Sequence, residues 1–454
     1  MERPLAETAL PELQVESLAA GGDGVGRLEG QAVFVAGAVP GDRLRVRLGQ
    51  RRARWAKAEI VEILEPGPGR RSAPCPVADD CGGCQWQQVD DALQREARRD
   101  IVLDALTRIA GLDVAALPPV DLPAPTPGLG YRRRAEYRLQ SLGGGRVELG
   151  FLARGSHRLV DHERCLLLEA PLADAVASLR ETLVRNLVRP AAALLELTLL
   201  EGAGGGSPEL QLLATLDDAA RRVLPPLLAD WRPPGVGAVH VALRDAEGHT
   251  LREAQGAPFL LERVQLDAPG GQRLDYPLYT RPGEFVQASR AANRQLLDAL
   301  LGIFDPGGEP WVLDLFCGAG NLSLPLALLG AKVLGLETRR SALRSARKSA
   351  RDARCARARF RAGEVAELLP ELAADGRKYR TVLLDPPRQG APELEAQLDP
   401  LGVEEIIAVS CHPASFARDL GGWVGRGFAL RELQLFDFFP QTHHVELLAR
   451  LTRA

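Results

Sequence analysis

The sequence predicts an α/β protein whose last domain is an open parallel sheet of the type that binds nucleosides. Residues 311–321 indicate a short buried strand that runs into a turn containing glycines. A helix over 322–329 and a second strand over 332–336 follow, and that strand ends at Glu337. Strand, glycine turn, helix, strand and acid occur in this order in sheets that hold a ribose, because the acid binds the ribose diol.

The same edge of the predicted sheet collects further polar residues. Three more strands are predicted near 358–361, 381–384 and 406–409, and polar residues follow each of them. Because ligands bind at the carboxyl ends of the strands in open α/β sheets, these strand ends together predict an active site. The residues at the strand ends are Asp314, Glu337, Glu364, Asp385 and Cys411.

Composition places the chain among soluble globular proteins with several domains. Its 454 residues suffice for about two to four domains, and 46% apolar and 25% charged residues are ordinary values for this class. No segment has the roughly 18 consecutive apolar residues that a membrane helix needs. Residues 1–7 lack the basic start and the apolar run of a secretory signal, so we expect a cytoplasmic protein with no membrane partner.

The first domain is predicted to be a small β-barrel. Residues 13–65 alternate apolar and polar positions, with glycine turns at 21–24 and 39–42. Arginines at alternate positions of 43–47 share one strand face and lie near Trp55 in the sequence. This combination favours contact with RNA phosphates over a merely solvated face. The pattern resembles the TRAM domain of RNA-modifying enzymes.

Linkers set the predicted domain limits. The segment Pro-Gly-Pro-Gly at 66–69 ends the barrel, and a catalytic domain begins near residue 283, ahead of a helix predicted over 289–301. The region between them mixes predicted strands and helices. The predicted domains are a TRAM-like RNA-binding barrel at 1–68, a central α+β domain at 69–282 and a catalytic domain at 283–454.

The central domain contains a predicted amphipathic helix at 87–111 and flexible glycine breaks at 202–206 and 270–271. Residues 131–138, Tyr-Arg-Arg-Arg-Ala-Glu-Tyr-Arg, interleave aromatic and cationic side chains. That pattern is typical of RNA-binding surfaces. A strand with a solvated basic face explains it nearly as well, so both interpretations remain open.

Three of the seven cysteines are close together in the sequence. Cys75, Cys81 and Cys84 have the spacing C-x5-C-x2-C, and an odd, uneven set of cysteines in a reducing compartment favours a metal site over disulfides. Zinc sites normally show two C-x2-C pairs or histidines, whereas three clustered thiolates and one distant cysteine suit an iron–sulfur cluster. Cys165 is the predicted fourth ligand, and buried packing cysteines are the alternative.

Cys411 is the predicted nucleophile. It stands just before Pro413 and a predicted helix over 414–420, and a helix N-terminus favours a thiolate and lowers its pKa. A packed cysteine at a strand end is the alternative reading. Cys317 and Cys355 lack such a setting, and both are interpreted as packing residues.

The residues after the fourth strand narrow the chemistry. Arg388 follows Asp385-Pro-Pro where amine methyltransferases usually carry an aromatic residue, and this argues for methylation of carbon. Uracil C5 is a poor nucleophile, so a thiolate must first add at C6 and a base must later remove the C5 proton. Glu446 is the candidate base, because an apolar pocket beside the aromatic run at 436–440 would raise its pKa. A solvated strand charge is the alternative.

These motifs carry a family resemblance that covers nearly the whole chain. The chain resembles the RNA 5-methyluridine methyltransferases that depend on S-adenosylmethionine, especially the branch that modifies bacterial 23S ribosomal RNA. The motifs are Phe-Val-Gln287, Asp-Leu-Phe316-Cys-Gly-Ala-Gly-Asn321, Asp385-Pro-Pro-Arg and Ser-Cys411-His-Pro-Ala.

The resemblance implies a Rossmann-like class I methyltransferase domain behind the barrel, and it implies roles for single residues. Cys411 is implied as the nucleophile and Glu446 as the general base. The implied S-adenosylmethionine site is lined by Gln287, Phe316, Asn321, Glu337, Glu364 and Asp385. The implied ligands of a [4Fe–4S] cluster are Cys75, Cys81, Cys84 and Cys165.

The sequence departs from the family pattern at four positions without removing a chemical role. His412, Glu364 and Ser289 stand where asparagine is common. Gln441 stands where histidine is common.

The predicted function is methyl transfer to C5 of a uridine in 23S ribosomal RNA by a monomer. A tRNA-modifying relative is the nearest rival, and the barrel with its cysteine cluster favours ribosomal RNA. A non-catalytic RNA-binding protein with a structural cluster is the rival from another class, and the set Cys411, Asp385 and Glu446 argues against it.

Overall fold

The computed structural model describes residues 10–202, 206–252, 259–308 and 310–454. The chain start at 1–7 and the central part of the predicted glycine break, 203–205, lie outside the described residues. The chain forms two compact units: unit 1 runs to Asp104 and adds two short segments, and unit 2 holds the remainder. The two added segments of unit 1 are Ala153–Ser156 and Phe439–His444.

Unit 1 contains a closed β-barrel, which confirms the predicted architecture. Its strands are β1 (Glu12–Leu18), β2 (Gly24–Leu28), β3 (Gln31–Val35), β4 (Arg43–Arg51) and β5 (Trp55–Glu65). They pair in the order β1-β2-β3-β5-β4, and β1 closes the barrel against β4. Alternate apolar side chains such as Leu13, Val33 and Leu44 fill the interior, as the period-two pattern requires.

Strand β2 begins inside a segment that the sequence predicts as a turn. Gly24 and Gly26 are strand residues at which other parts of the chain approach closely. A Cβ atom on Gly26 would lie 2.2 Å from the carbonyl oxygen of Gln14, and one on Gly24 would lie 2.7 Å from the Cβ of Ala38. Close packing therefore requires glycine at both positions, and Gly24 belongs to the strand and not to the predicted turn.

The helix predicted at 87–111 is shorter in the structure, where α1 spans Asp91–Arg108. The residues before it belong to a compact loop anchored by Trp86. This side chain is fully buried and packs with Leu18, Val39 and Val89 in a small apolar core of unit 1. The loop thus has its own core, and the helix begins only after it.

Unit 2 opens with a sheet that is antiparallel except for one pair of strands. The elements of this part are β6 (Val120–Asp121), β7 (Arg134–Gly143), β8 (Arg146–Leu152), β9 (Leu159–Asp161), α2 (Ala170–Asn186), β10 (Pro190–Leu200), β11 (Glu209–Leu216), α3 (Ala220–Asp230), β12 (Ala238–Asp245) and β13 (Thr250–Arg252). The strand order is β13-β12-β11-β10-β7-β8-β9, and β11 runs parallel to β12. Helices α2 and α3 pack their apolar faces on this sheet.

A hairpin and a doubly wound sheet complete unit 2. Their elements are β14 (Leu260–Asp267), β15 (Arg273–Thr280), α4 (Arg290–Ile303), β16 (Trp311–Leu315), α5 (Ser323–Leu328), β17 (Lys332–Glu337), α6 (Arg340–Asp352), β18 (Ala358–Ala362), α7 (Val365–Ala374), β19 (Thr381–Leu384), α8 (Glu395–Leu398), β20 (Glu405–Ser410), α9 (Pro413–Gly425), β21 (Phe428–Phe436) and β22 (Glu446–Arg453). The strand order is β18-β17-β16-β19-β20-β22-β21-β6. Strands β16 to β20 are mutually parallel, and β22 runs antiparallel to β20.

This sheet confirms the five parallel strands that the sequence predicts, including the fourth at Thr381–Leu384. Strand ends that are separate in sequence therefore lie along one carboxyl edge. The helix predicted to precede them is α4, and the Ser289 hydroxyl caps it by accepting the Ala292 N–H at 3.2 Å. Within the described ranges, no helix is both long and apolar enough to span a membrane.

Candidate active site

The glycine turn after β16 and the acid after β17 form one hydrogen-bonded unit. Phe316 has φ 66°, Gly318 53° and Gly320 88°, so every second residue from 316 to 320 adopts a left-handed conformation. The Gly318 N–H donates to Glu337 Oε2 at 3.1 Å, and the Arg339 N–H donates to Glu337 Oε1 at 2.8 Å. The Glu337 carboxylate is thus fixed in position by two backbone donors.

Space for a ligand is present at this turn. A Cβ atom on Gly318 would meet no heavy atom within 4 Å, so the backbone there faces open space. Behind the turn, Asp314 is buried and accepts a hydrogen bond from the Ser323 hydroxyl through Oδ2, while its Oδ1 has no hydrogen-bond partner among the described residues. Burial, followed by the nearby Asp385 and Glu337, raises the pKa of Asp314 to about 8.

Asn321 is held by a second asparagine that sequence reasoning missed. The Asn321 Nδ2 donates to Asn293 Oδ1 at 2.9 Å, and the Asn293 Nδ2 donates to Asn321 Oδ1 at 3.2 Å. Asn293 lies on α4 and is buried. This reciprocal amide pair connects α4 to the end of the glycine turn. Because the two residues are distant in the sequence, no local sequence pattern predicts their contact.

Gln287 is positioned by an arginine from the segment 131–138. Arg133 is 1% exposed; its Nε donates to the Gln287 carbonyl at 2.8 Å, and its Nη1 pairs with Glu262 at 2.7 Å. Tyr131 and Tyr137 are buried as well, so the interleaved aromatics do not form an RNA-binding surface; the alternative of a strand with one solvated basic face fits the segment, with Arg133 on its inner face and Arg138 exposed. The alternation inward and outward along the strand explains the outcome, because every second residue of this segment faces the core.

Glu364 is exposed and stands directly before α7. Its backbone is linked to the turn of Glu337, since the neighbouring Gly363 N–H donates to the Glu337 carbonyl at 3.2 Å. The structure therefore places Glu364 at the predicted sheet edge, next along the edge from Glu337, with its carboxylate open to solvent.

Cys411, Asp385 and Glu446 form a group of mutually interacting acids. Burial first, and then the Glu446 and Asp385 carboxyls, raise the pKa of the Cys411 thiol to about 11. The Arg388 guanidinium acts in the opposite direction. The expectation that the helix N-terminus lowers the pKa of Cys411 is therefore wrong for this structure, because desolvation and two nearby acids outweigh the helix end.

The two carboxyls of this group also favour the protonated state. Burial raises the pKa of Asp385 to about 7. Burial and the nearby Asp385 raise the pKa of Glu446 well above its ordinary value. Glu446 is 5% exposed and begins β22, where it pairs with Phe436 of β21. The alternative reading of a solvated strand charge is excluded.

His412 caps helix α9. Its Nδ1 accepts the Ser415 N–H at 3.2 Å at the start of α9. The Ser415 hydroxyl also lies 2.8 Å from the Arg388 carbonyl, to which it donates. One capping interaction thus fixes both the Cys411 loop and the segment that carries Asp385.

The segment Phe439–His444, which precedes Glu446 in the chain, is clamped within unit 1. Gln441 has φ 69°, and its Oε1 accepts from Gln94 at 3.0 Å and from Arg71 at 2.9 Å. Its carbonyl oxygen accepts the N–H groups of Gln85 and Trp86 at 3.1 and 3.0 Å. Gln441 therefore has a definite structural role as the residue that replaces the family's histidine.

The cysteines fall into distinct settings. Cys75, Cys81 and Cys84 lie in the loop of unit 1 that Trp86 anchors, and the Gly83 N–H donates to Cys81 Sγ at 3.4 Å. Cys165 belongs to unit 2, where it packs against the core of the first sheet. The interpretation of the two remaining thiols as packing residues is confirmed, since both are buried: Cys317 and Cys355.

The arginines of barrel strand β4 are paired with acids. Arg43 contacts Glu12 at 2.9 Å and also Glu65; Arg45 contacts Glu62. Arg47 lies 3.7 Å from Glu59. The predicted shared face exists, and its positive charge is largely compensated. The cations that lie exposed around the half-buried Trp55 are Arg51, Arg52, Arg54 and Lys57.

Comparison with known proteins adds family evidence. Residues 270–454 match the family described as tRNA (Uracil-5-)-methyltransferase, and residues 12–61 match the TRAM domain. An uncharacterized RNA methyltransferase of Thermosynechococcus vestitus is 35% identical over 97% of both chains. The 23S rRNA (uracil(1939)-C(5))-methyltransferase RlmD of Shewanella baltica is 32% identical over 96% of this chain and 94% of its own.

A solved structure shares the fold. The Pyrococcus abyssi tRNA (uracil-54, C5)-methyltransferase in complex with S-adenosyl-L-homocysteine superposes with a TM-score of 0.71 at 22% identity. The match covers 97% of this chain and 99% of that one. The fold expected for the barrel and for the class I methyltransferase domain is thereby confirmed.

Proposed function

We propose a substrate and a mechanism from one premise: this chain belongs to the family of RNA uracil-5 methyltransferases and is an S-adenosylmethionine-dependent RNA uracil-C5 methyltransferase. The proposed substrate is a uridine of 23S ribosomal RNA. Relatives named for that reaction support it, because they are 32% identical over nearly the whole chain, barrel included. The enzyme is proposed to act in the cytoplasm as a monomer.

The alternative substrate is tRNA. The relative named for that reaction is 22% identical, so it supports the fold and does not choose between the two RNAs.

The proposed cofactor site is the turn between β16 and α5 together with Glu337. Glu337 would bind the ribose diol, for which its carboxylate is already oriented by two backbone N–H groups. The open space at Gly318 fits a ligand at this place, as does the Oδ1 of Asp314, which has no hydrogen-bond partner in the part of the chain that the structure describes. S-adenosylmethionine supplies, when bound there, the methyl group for the reaction. The other proposed cofactor contacts are Gln287, Phe316, Asn321, Glu364 and Asp385.

Cys411 is proposed to make C5 of uracil nucleophilic. Its Sγ forms a bond to C6, and the electron pair of the C5=C6 bond becomes available at C5. Arg388 supports the thiolate form, since its guanidinium lowers the pKa of the Cys411 thiol. Glu446 and Asp385 oppose that form while they are ionised. The thiolate is therefore best supported while Asp385 carries a proton, and Glu446 must be ionised when it accepts the C5 proton.

Glu446 is proposed to complete the reaction as general base. Once C5 carries the methyl group, Glu446 removes the remaining C5 proton, the C5=C6 bond re-forms, and the C6–S bond breaks to release Cys411 as thiolate. Burial raises the pKa of Glu446 well above its ordinary value, so its carboxylate is a stronger base than that of an exposed glutamate. The observation that carries this proposal is the mutual interaction of Cys411, Asp385 and Glu446 at one sheet edge.

Mapping 5-methyluridine tests the substrate. Total RNA from cells without this gene should lack 5-methyluridine at one position of 23S ribosomal RNA, and the wild-type gene should restore it. A gene with Cys411→Ala should not restore it, whereas Cys355→Ala, which alters a packing thiol, should. Loss of 5-methyluridine from tRNA instead would transfer the proposal to the alternative substrate.

The four cysteines are proposed to hold a [4Fe–4S] cluster. Three thiols within one short loop, with a backbone N–H directed at Cys81 Sγ, fit the donor set of such a cluster. The cluster would supply structural support to that loop, and no electron transfer is assigned to it. The proposed ligands are Cys75, Cys81, Cys84 and Cys165.

Metal content tests the cluster. Protein purified without oxygen should be brown and contain about four irons per chain. Cys84→Ser and Cys165→Ser should each lower the iron content, and Cys355→Ser should leave it unchanged. One zinc per chain without iron would rule the cluster out.

A further inference from the structure

Helix α6 presents a row of arginines on one face. Arg340, Arg344, Arg347 and Arg351 follow the spacing i, i+4, i+7, i+11, which aligns side chains along one side of a helix, and all four are exposed. At 1.5 Å rise per residue, neighbours in the row are separated by about 4.5 to 6 Å along the axis. The opposite face is small and buried against the sheet: Ala342, Leu343, Ser345, Ala346, Ser349 and Ala350.

The row lies in the most basic segment of the catalytic sheet. Residues 339–361 contain ten lysines or arginines and one acid, Asp352, so they contribute +9 to a chain whose formal net charge is −3. The rest of the chain therefore carries −12. An arginine-rich composition alone does not explain α6, because acids outnumber cations elsewhere.

The single acid does not neutralise the row. Asp352 is shared between Lys348, at 2.7 Å, and Arg351, at 3.2 Å. Like charges three and four residues apart destabilise a helix, and an arginine at its first residue opposes the helix dipole. Arg351, in the last turn, favours the helix dipole, and Arg347 donates to the Phe360 carbonyl, but no role of this kind accounts for Arg340 and Arg344.

Partly exposed aromatic rings flank the row. The hairpin β14–β15 is joined to α6 by the Tyr279 N–H, which donates to the Ser349 hydroxyl at 2.9 Å. Lys348 Nζ lies 4.0 Å from the centre of the Tyr279 ring and 5.8 Å from that of Phe259. Aromatic rings next to cations are the combination on which bases of single-stranded RNA stack while the backbone follows the charges.

We infer that the arginine row of α6, with Tyr279 and Phe259 beside it, binds the phosphate backbone of the substrate RNA. The inference rests on the proposed function, because it requires RNA as substrate. Phosphates fit this surface because its excess of positive charge is exposed and faces no row of acids on its own helix. The row starts at Arg340, three residues after Glu337, so RNA bound along it would lead away from the cofactor edge.

Salt-dependent binding tests this surface. The variant Arg340→Gln, Arg344→Gln, Arg351→Gln leaves Arg347 in place, because Arg347 donates to the Phe360 carbonyl at 2.8 Å. The probe is full-length 23S ribosomal RNA transcribed without modification. Each lost phosphate contact lowers the slope of log K against log salt by about 0.7 to 0.9. We expect a slope smaller by about 2 to 3 and binding weaker by about 100-fold near 0.1 M salt.

A matched control removes the same charge elsewhere. The variant Arg185→Gln, Arg221→Gln, Arg222→Gln alters exposed residues of α2 and α3, two of which pair with acids of their own helix region. Its slope should equal that of the wild type, and both variants should bind S-adenosylmethionine as the wild type does. Equal slopes for the α6 variant and the wild type would overturn the inference. A wild-type enzyme that leaves this RNA unmethylated would overturn only the proposed substrate.

Discussion

Strand β4 of the barrel and helix α6 of unit 2 each carry a row of arginines, and the two rows differ in what faces them. Each arginine in the β4 row, Arg43 to Arg47, has a glutamate of a neighbouring strand within 4 Å. The row on α6 has one acid, Asp352, which two cations share. Periodicity shows that residues share a face, but only the neighbouring element decides whether that face carries net charge.

The acids at the carboxyl edge of the catalytic sheet show the same contrast for negative charge. Asp314, Asp385 and Glu446 are acids brought together without an ion pair among the described residues, and each has a raised pKa. Like charges held together cost free energy, about 0.2 to 0.5 kcal/mol for an exposed helical pair and more for buried groups. Rows of charged residues that are paired with opposite charges therefore indicate a structural role. Groups of like charges without such partners indicate a functional role. The following predictions test that distinction.

The largest effect is expected at the catalytic edge. Cys411→Ala should form no covalent RNA adduct and no product, because C5 stays a poor nucleophile. Glu446→Gln should still add to C6 and accept the methyl group, and it should then stop with RNA bound through Cys411. A denaturing gel with labelled RNA and labelled methyl donor should show a methylated protein–RNA band only for the glutamate variant.

Cys355→Ala is the control for this experiment and should turn over normally. Native turnover by Glu446→Gln would require another base. Product from Cys411→Ala would exclude addition of the thiolate at C6. The acids around that thiol would then have no role in the proposed mechanism.

The next largest effect is expected for the loss of a buried ion pair, compared with the loss of an exposed one. Arg133→Met leaves Glu262 buried without its partner and should lower the free energy of unfolding by about 3 to 5 kcal/mol. Arg43→Met removes an exposed pair and should cost under about 1 kcal/mol. The double variant Arg133→Met, Glu262→Met should recover most of the loss. Denaturant unfolding measures all three, and equal costs for Arg133→Met and Arg43→Met would contradict the comparison.

A smaller effect is expected in the pH dependence of stability. The Asp385 carboxyl has a pKa of about 7 in the folded chain, above its ordinary value, so the folded state keeps a proton that the unfolded state loses. Stability should therefore fall as the pH rises from about 4 to 7. Asp385→Asn cannot ionise and should be more stable than the wild type above pH 7, with no difference expected below about pH 4 from this group's ionisation.

Thermal unfolding at acidic and alkaline pH measures this difference. Asp218→Asn, which alters a side chain that is 91% exposed, is the control and should follow the wild type. A loss of stability for Asp385→Asn above pH 7 instead would show that the carboxylate form is the stabilised one.

Much of the fold follows from local sequence because its signals are local. The parallel strands of the catalytic sheet are short apolar runs that end in polar residues, and Thr381–Leu384 matches its prediction at both ends. Strand β2 escapes such reasoning, since Gly24 and Gly26 are set by the closeness of Gln14 and Ala38, which are distant in sequence. Glycines required by long-range packing look the same in sequence as glycines required by a turn.

The site divides in the same way. The positions of Glu337, Asp385 and Cys411 follow from strand ends, whereas the pKa of Cys411 depends on Glu446, which lies on another strand. The amide of Asn293 and the buried guanidinium of Arg133 act on site residues through contacts across the fold. The charge of α6 was readable in the sequence, as ten cations against one acid in residues 339–361.

The smallest effect is expected for the arginine row of β4. This prediction tests whether arginines that are paired with glutamates can still bind RNA phosphates. Replacing arginines alone would leave glutamates that repel RNA, so the informative variant removes pairs: Arg43→Gln and Arg45→Gln with Glu62→Gln and Glu65→Gln. Net charge is then unchanged. Because these side chains are exposed and already paired, stability should change by less than about 1 kcal/mol. The salt slope for 23S RNA should stay at the wild-type value, in contrast to the α6 variant. A slope smaller by about 2 would show that phosphates displace the glutamates, and the rows would then be equivalent.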